Sequence, residues 1–197
     1  MGEKLKIFSD WMTPAGEKDR DEVHRDGDWH ESFHCWFYRH DADKTFIYFQ
    51  KRSESKKDFP CLYDITAAGH IEYTESRIQG GLREIKEELG LNLMEEDIAY
   101  HGFYKEELKL KALNDREICH IYLYAYDEAS LLTMNEEVTD VVRINLEEFL
   151  SMISKNGRSV MAESLFSDNS LFIDAEEFCP HDFNYYQHIV QAVMSTR

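Results

Sequence analysis

Residues 69–91 read GHIEYTESRIQGGLREIKEELGL and contain five glutamates and four glycines. The apolar residues of this segment recur at steps of four, three and four and are Ile78, Leu82, Ile85 and Leu89. At about 100° per residue, such steps form one stripe along a helix. Gly90 follows the last of them, where a helix commonly ends because glycine adopts a left-handed backbone at little cost. The spacing therefore predicts an amphipathic helix over 76–89.

The same helix carries a cluster of carboxylates on a separate arc. Glu84, Glu87 and Glu88 are related as i, i+3 and i+4. Like charges at this spacing destabilise a helix by roughly 0.2–0.5 kcal/mol per pair, and Gly80 and Gly81 cost about 1 kcal/mol each relative to alanine. A hard divalent cation would account for the carboxylates, and a close approach to another backbone would account for the glycines. The alternative is a solvated acidic face with ion pairs along the helix.

The spacing of the whole segment fits a longer motif, GX5EX7REUXEEXGU, in which U is a bulky aliphatic residue. The fixed positions of the motif are occupied by Gly69, Glu75, Arg83, Glu84, Ile85, Glu87, Glu88, Gly90 and Leu91. The segment resembles the Nudix box, and a match at nine positions is far more specific than a short glycine motif. The resemblance implies an α/β fold, an α/β/α sandwich with a mixed β-sheet. It also implies a hydrolase that cleaves a diphosphate linkage in a nucleoside diphosphate derivative or a related phosphorylated small molecule.

Within the box, the resemblance implies a role for each charged residue. Glu84, Glu87 and Glu88 are the expected ligands of Mg²⁺ or Mn²⁺, joined by the carbonyl of Gly69. Arg83 is expected to orient Glu84. A metal bound there would polarise the bridging phosphate and lower the pKa of a bound water. The general base that accepts the proton of this water is Glu84, Glu88 or a carboxylate outside the box.

A further metal ligand is expected downstream of the box. The segment EEVTDVVRINLEEF at 136–149 resembles the late stretch of the family, in which a glutamate precedes a strand and a helix. Glu137 is the preferred candidate. The alternatives are Glu136, Asp115 and Glu117.

Residues from about 20 to 150 are similar to the Nudix branch of isopentenyl diphosphate isomerases. In those isomerases a catalytic cysteine directly precedes the glycine–histidine pair, and Ala68 stands at that position here. His30 and His70 match two metal-binding histidines of the isomerases, and the third falls near positions 23 and 24. Asp115 and Glu117 match their paired acidic ligands. A second metal site and an ordinary loop role for His70 are both consistent with the sequence.

The basic residues ahead of the box suggest how a substrate binds. In the related branch, the residues that correspond to Arg52 and Lys56 contact diphosphate, and a guanidinium beside an ammonium suits such a group. A solvated loop is the alternative. The resemblance is compatible with three functions. They are a metal-dependent diphosphate hydrolase, an isomerase of isoprenoid diphosphates, and a noncatalytic Nudix domain that binds a ligand. Ala68 argues against the isomerase, and the complete set of box carboxylates argues against the binding domain.

Composition limits the class of protein. The chain has 197 residues and a net charge of -17, which repels phosphate backbones and makes nucleic acid a poor partner. Its four cysteines form no CxxC pair, so reduced thiols are expected, and Cys61, after Pro60, is taken as structural. With no long apolar run, we expect a cytoplasmic protein without a membrane partner. A homodimer is considered, because many relatives dimerise.

We expect a single Nudix domain over 1–197, with a core at about 30–155, an N-terminal strand and loop, and a C-terminal helical extension. Predicted strands lie at 4–9, 62–66, 97–104, 117–126 and 138–144, with a hairpin formed by 33–39 and 45–51. Further helices are predicted at 145–155, where Asn145 is a candidate N-cap, and at 183–196. The polar stretch 13–29 is predicted to be turn and loop.

Overall fold

The computed structural model describes residues 2–110, 113–154 and 157–197, and within these ranges eleven strands form one mixed sheet. The strands are β1 (Lys4–Phe8), β2 (Pro14–Asp19), β3 (Trp29–His40), β4 (Thr45–Arg52), β5 (Tyr63–Ile65), β6 (Ala67–His70), β7 (Ile98–Leu110), β8 (Leu113–Ala125), β9 (Val138–Asn145), β10 (Ser159–Ser164) and β11 (Ser170–Asp174). The helices are α1 (Arg20–Asp26), α2 (Arg77–Leu89), α3 (Leu146–Ser154) and α4 (Phe183–Met194).

The sheet is mixed because one central pair is parallel. Its main strand order is β11-β10-β9-β4-β3-β1-β2. β8 runs parallel to β3 along ten residue pairs, from Trp29 opposite Arg116 to Tyr38 opposite Ala125. β7 extends the sheet beyond β8 in the antiparallel direction.

Helices cover both faces of this sheet. Side chains alternate along β3, so that Phe33 and Phe37 join one core cluster with Ile85 and Leu89 of α2. Trp36 points to the opposite face, where the other core cluster contains residues of α3 and α4. The sheet is therefore packed between α2 on one side and α3 with α4 on the other. This arrangement confirms the predicted α/β/α sandwich.

The hairpin of β3 and β4 opens into a wedge. The two strands pair only near their connection, from Tyr38 opposite Ile47 to His40 opposite Thr45. Below that point β5 pairs with β4 and β6 pairs with β3. Residues 63–70 fill the gap between the diverging strands, and this brings the start of the glutamate-rich segment into the middle of the molecule.

Most predicted elements are confirmed, including both strands of the hairpin, helix α2 with a left-handed Gly90 after it, and helices α3 and α4. Asn145 caps α3, since its Oδ1 accepts hydrogen bonds from the backbone N–H groups of Glu147 and Glu148 at 3.0 and 3.1 Å. None of the helices in the described ranges is long and apolar enough to cross a membrane. The last residue of the helix predicted at 145–155 lies outside the described ranges.

The predicted loop at 13–29 is wrong. Strand β2 and helix α1 occupy it, and β3 already begins at Trp29. β2 is an almost wholly exposed edge strand and therefore lacks the alternation that marks a buried strand. α1 has seven residues, of which only Val23 and His24 are buried, too few to show a helical period. β10 and β11 were also not predicted from the sequence.

Candidate active site

Helix α2 is fixed at its start by a capping box. The side chain of Ser76 accepts from the backbone N–H of Gln79, and the side chain of Gln79 accepts from the backbone N–H of Ser76. The sequence predicted that Gly80 and Gly81 allow the helix to approach another backbone closely. At Gly81 the close neighbour is instead a side chain. A Cβ at this position would lie 2.1 Å from the ring of Phe33. Glycine is therefore required because an aromatic ring of the sheet packs directly against the helix.

Gly69 makes room for the first box carboxylate. A Cβ at Gly69 would lie 2.2 Å from Cδ of Glu84. The carboxyl group of Glu84 thus lies against strand β6, in space that any other residue at 69 would occupy. Burial raises the pKa of Glu84, against the opposing charge of Arg83.

Arg83 links the carboxylates of the box. Its guanidinium donates two hydrogen bonds to Glu75 at 2.8 and 2.9 Å, and Nη1 donates to Glu84 at 2.7 Å and to Glu87 at 3.2 Å. Glu75, together with its own bond from the backbone N–H of Glu72, joins the loop before α2 to the helix. The structure thus places Arg83 where it can orient Glu84. Glu87 is the most exposed of the three box glutamates, with 56% of its side chain accessible.

Glu88 lies at the opposite extreme, with only 2% of the residue accessible. Its Oε2 accepts hydrogen bonds from the side-chain amide of Gln50 at 3.0 Å and from the backbone N–H of Ala68 at 3.2 Å. Burial raises the pKa of Glu88 to about 8 despite the nearby ammonium of Lys56, and the charge of Glu84 adds to the increase. Such a carboxylate is poised to bind a cation, because a positive charge would remove the cost of ionising it.

Lys56 connects Glu88 to the downstream candidate. Its Nζ lies 3.7 Å from Oε1 of Glu88 and forms a short ion pair with Glu137. Glu137 thus lies beside the box, while Glu136 is exposed. Among the described residues, however, the groups of three metal-ligand atoms within 4.8 Å of one another do not include the box glutamates. Arg83 instead pairs with Glu84 and Glu87, and Lys56 lies between Glu88 and Glu137.

A second cluster of ligand atoms is formed by three histidines. The rings of His24, His30 and His70 form a triangle with centroid separations of 5.1, 5.2 and 5.1 Å. Each comes from a different element, namely α1, β3 and β6. The short helix that the sequence did not predict is therefore what brings His24 into the cluster.

Two carboxylates complete this cluster through the register of the sheet. Glu117 on β8 is the direct parallel partner of His30 on β3. Its Oε1 lies 3.8 Å from Nε2 of His30 and 3.7 Å from Nε2 of His70. Oδ1 of Asp115 lies 3.4 Å from Nε2 of His30 and 3.7 Å from Nε2 of His24. We call these five residues the histidine–carboxylate cluster.

The cluster fits a divalent metal ion. Nε2 of His24, Nε2 of His30 and Oδ1 of Asp115 are buried without a hydrogen-bond partner, although buried polar atoms normally have one. Burial and the nearby charge of His70 lower the pKa of His24 to about 4 and that of His30 to about 3, so both imidazoles are neutral, as metal ligation requires. Burial and the neighbouring Glu117 raise the pKa of Asp115 to about 8. A bound cation would satisfy all of these groups.

Glu117 is fixed from behind by polar residues of the sheet. Its Oε2 accepts from the hydroxyl of Ser32 at 2.9 Å and lies 3.2 Å from Nε2 of His34. Although burial opposes it, the hydrogen bond from His34 and the nearby charge of His70 lower the pKa of Glu117 well below its usual range. The other oxygen of Glu117 faces the imidazoles of His30 and His70.

The three box glutamates and all members of the histidine–carboxylate cluster except the fully buried His30 line one cavity of about 560 Å³. β6 contributes to both sets of residues, since Gly69 lies against Glu84 and His70 belongs to the cluster. Arg52 and Lys56 line the same cavity. The structure thus brings most of the candidate residues to one cavity, whereas Glu136 is not among the described residues that line it.

A turn beside the cavity has an unusual backbone. Phe59 and Cys61 have positive φ values of 49° and 65°. Phe59 lines the cavity, and Cys61 is exposed. This left-handed region favours glycine, so the backbone is strained at both positions.

Comparison with known proteins identifies the family. The family model of the NUDIX domain matches residues 28–164. The chain belongs to the Nudix family. An uncharacterized Nudix hydrolase from Clostridium acetobutylicum is 35% identical over 98% of this chain and 97% of its own length. The predicted family and the predicted hydrolase class are therefore confirmed.

More distant similarities of this Nudix protein agree with the predicted branch. An isopentenyl-diphosphate Delta-isomerase from Salmonella arizonae is 25% identical over 77% of this chain and 82% of its own. The crystal structure of a MutT/nudix family protein from Enterococcus faecalis is 18% identical, with a TM-score of 0.54, and covers 82% of this chain and 60% of that chain. The second likeness shows the fold alone.

Several cavity residues of this Nudix protein were missed by sequence reasoning. Asp64, Gln50 and His181 lie at or beside the cavity, and none of them belongs to a motif. His181 contacts Asp64 across 117 positions of sequence, a contact that no local spacing signals. His34 could have been found from the alternation along β3, which places it on the same face as His30 and Ser32.

Proposed function

We propose that this Nudix hydrolase cleaves a diphosphate linkage in a nucleoside diphosphate derivative or a related phosphorylated small molecule, with Mg²⁺ or Mn²⁺ as its cofactor. The observation that carries the proposal is a single cavity that joins the carboxylates of the Nudix box to Arg52 and Lys56. Carboxylate oxygens suit Mg²⁺ and Mn²⁺, and the two basic side chains suit the charge of a diphosphate.

Glu84, Glu87 and Glu88, with the carbonyl of Gly69 and with Glu137, are the proposed ligands of the box metal. A cation bound there supplies Lewis-acid activation of the phosphate and of water. Arg83 positions Glu84, which we propose as the base that accepts the proton of the attacking water, with Glu88 as the alternative. Arg52 and Lys56 hold the diphosphate.

The histidine–carboxylate cluster is proposed as a second metal site. Imidazole ligands suit a transition metal more than Mg²⁺, and the two carboxylates suit Mn²⁺. We propose that residues 1–197 act as one domain, since both the N-terminal helix α1 and the core strands supply ligands to this cluster. A homodimer and a cytoplasmic location stay predictions.

One observation favours a second function, that of an isoprenoid diphosphate isomerase. The histidine–carboxylate cluster comprises the residues that the resemblance to those isomerases selects. Ala68, however, has no group that exchanges protons with an alkene. Its backbone N–H instead donates to Glu88 of the box. Hydrolysis remains the better-supported reaction.

The test is a panel of substrates incubated with the purified protein and Mg²⁺ or Mn²⁺. It includes nucleoside diphosphates, nucleoside triphosphates, sugar nucleotides and isopentenyl diphosphate. Release of phosphate, pyrophosphate or a nucleoside monophosphate supports the hydrolase. Formation of dimethylallyl diphosphate from isopentenyl diphosphate, without hydrolysis, would show that the protein is an isomerase. Binding of a compound without turnover would favour a noncatalytic domain.

A further inference from the structure

A segment outside the family match forms one wall of the cavity. The NUDIX domain match ends at residue 164, yet Cys179 and His181 line the cavity beside Asp64. His181 immediately precedes Asp182, the N-cap of α4. The side chain of His181 is only 6% accessible, so this ring is part of a built wall and not a loose tail.

Both ring nitrogens of His181 contact carboxylates. Nδ1 lies 2.7 Å from Oε2 of Glu106, and Nε2 lies 2.9 Å from Oδ1 of Asp64. Because carboxylates accept hydrogen bonds, both nitrogens carry protons and the ring is an imidazolium. Although burial opposes it, the charges of Glu106 and Asp64 raise the pKa of His181 to about 10. With both N–H groups engaged, this ring does not itself contact a substrate.

The second oxygen of Asp64 reaches Arg52. Oδ2 accepts from Nη1 of Arg52 at 3.0 Å. Nε and Nη2 of Arg52 donate to the backbone carbonyl of Asp58 at 3.2 and 2.9 Å. These contacts use three of the five N–H groups of the guanidinium, and one on Nη1 and one on Nη2 are left for a ligand in the cavity. Asp64 is therefore shared between two cations, each of which contacts a different oxygen.

Sharing Asp64 affects where Arg52 points. A buried carboxylate that loses one of its two cationic partners tends to form a two-pronged pair with the other, since a guanidinium matches a carboxylate in that geometry. Such a pair would use a second N–H of Arg52 and turn it from the cavity. The ring of His181 prevents this by binding one oxygen of Asp64.

We propose that His181 is a positioning residue for the diphosphate of the substrate, which holds Asp64 so that the guanidinium of Arg52 keeps two N–H groups directed into the cavity. This inference rests on the proposed function, in which Arg52 contacts diphosphate. It assigns to the C-terminal segment a part in substrate binding. The matched family segment alone would lack this part.

The test is a double-mutant cycle on the full chain. His181→Gln and Arg52→Lys are made singly and together, and binding of inorganic pyrophosphate is measured by calorimetry in the presence of Mg²⁺. We expect His181→Gln to weaken binding about tenfold in the wild-type background and less than about twofold beside Arg52→Lys, because residues acting through one another are not additive. In the hydrolysis assay, KM should rise by a similar factor with kcat nearly unchanged. His101→Gln, the same substitution on β7 at a residue not among the described cavity-lining residues, should leave binding unchanged.

The outcomes separate this inference from the proposed function. Equal weakening by His181→Gln in both backgrounds would overturn the inference and make His181 a structural residue, while the diphosphate role of Arg52 stands. If Arg52→Lys itself leaves pyrophosphate affinity unchanged, the proposed role of Arg52 fails and the inference fails with it. Should His181→Gln not fold, as judged by circular dichroism, the same cycle is run with Asp64→Asn, which keeps the pair of His181 and Glu106. Additive effects in that cycle would also overturn the inference.

Discussion

Glu88 is a buried carboxylate that we propose to bind a metal ion. It is surrounded by β4 and β6, where Gln50 and the backbone of Ala68 donate to one of its oxygens. A buried carboxylate without a full counter-charge is costly, and an apolar or amide side chain would be cheaper at the same position. A bound cation would offset the free-energy cost of burying this carboxylate.

Replacing this carboxylate tests that interpretation. We expect Glu88→Gln to lower kcat roughly 100-fold or more, since loss of even an outer-shell group at a metal site costs about 10- to 100-fold. The fold should survive, because the amide oxygen of glutamine can accept both existing hydrogen bonds. The measurement is turnover of the substrate found in the panel, with the melting temperature as a check. Glu148→Gln, at an exposed position of α3, is the control, and full activity in Glu88→Gln would contradict the ligand role.

The histidine–carboxylate cluster gives a prediction that does not depend on turnover. His30→Gln should remove about one bound Mn²⁺ per chain, because His30 lies within 4 Å of both carboxylates of the cluster. Metal content after equilibrium dialysis is measured by mass spectrometry. His40→Gln, at the far end of the same strand, should keep the wild-type content. Equal metal content in the two variants would show that the cluster is an ordinary buried polar group.

Helix α2 shows how one element serves packing and chemistry together. Ile85 and Leu89 belong to the buried core, whereas Glu84 and Glu88 line the cavity. The capping box at Ser76 and the left-handed Gly90 fix where the helix starts and ends, and so fix which residues face the cavity. A small shift of the helix would separate the carboxylates from β6.

Gly81 is the point where this placement is most constrained. Gly81→Ala would gain about 1 kcal/mol of helix propensity, but its Cβ would clash with the ring of Phe33, and overpacking typically costs about 1–3 kcal/mol. We therefore expect a net loss of stability and of activity. Gly80→Ala should be milder, since its closest neighbour is the end of the Glu75 side chain at 3.0 Å. Urea unfolding of both variants is the measurement, and a more stable Gly81→Ala protein would contradict the packing.

At the scale of the whole molecule, the residues of the candidate active site come from distant parts of the chain. α1, β3, β6 and β8 supply the histidine–carboxylate cluster, and α2 supplies the box. The segment before α4 closes the cavity with His181, which ties the C-terminal part to β5 and β7 through Asp64 and Glu106. This buried ion pairing predicts a dependence of stability on pH.

His181 has a pKa of about 10 in the folded protein, above its usual value of 6.5. A raised pKa contributes stability that is full below pH 6.5 and is lost as pH rises towards 10. We expect the stability difference between the wild type and His181→Gln to shrink over this interval, by on the order of 3 kcal/mol. Urea unfolding at pH 6.5, 8 and 10 measures it. A constant difference would mean that the ring is not an imidazolium.

The limits of sequence-based prediction follow from the same organisation. The fixed spacing of the box predicted α2, its left-handed end and its carboxylates, because all of these depend on neighbours along the helix. The resemblance to isopentenyl diphosphate isomerases identified His30, His70, Asp115 and Glu117. The register of the sheet brings these residues together. His24 was located only approximately, since α1 is too short to show a period. The pairing of His181 with Asp64 depends on tertiary packing alone, which no local spacing reveals.

The turn that contains Phe59 and Cys61 provides a site for chemical labelling. Three of the four thiols, those of Cys35, Cys119 and Cys179, are buried, whereas that of Cys61 is exposed. A maleimide fluorophore should therefore attach at Cys61 without mutagenesis. The dye would sit two residues from Phe59 in the cavity wall, and its emission could report ligand entry in real time.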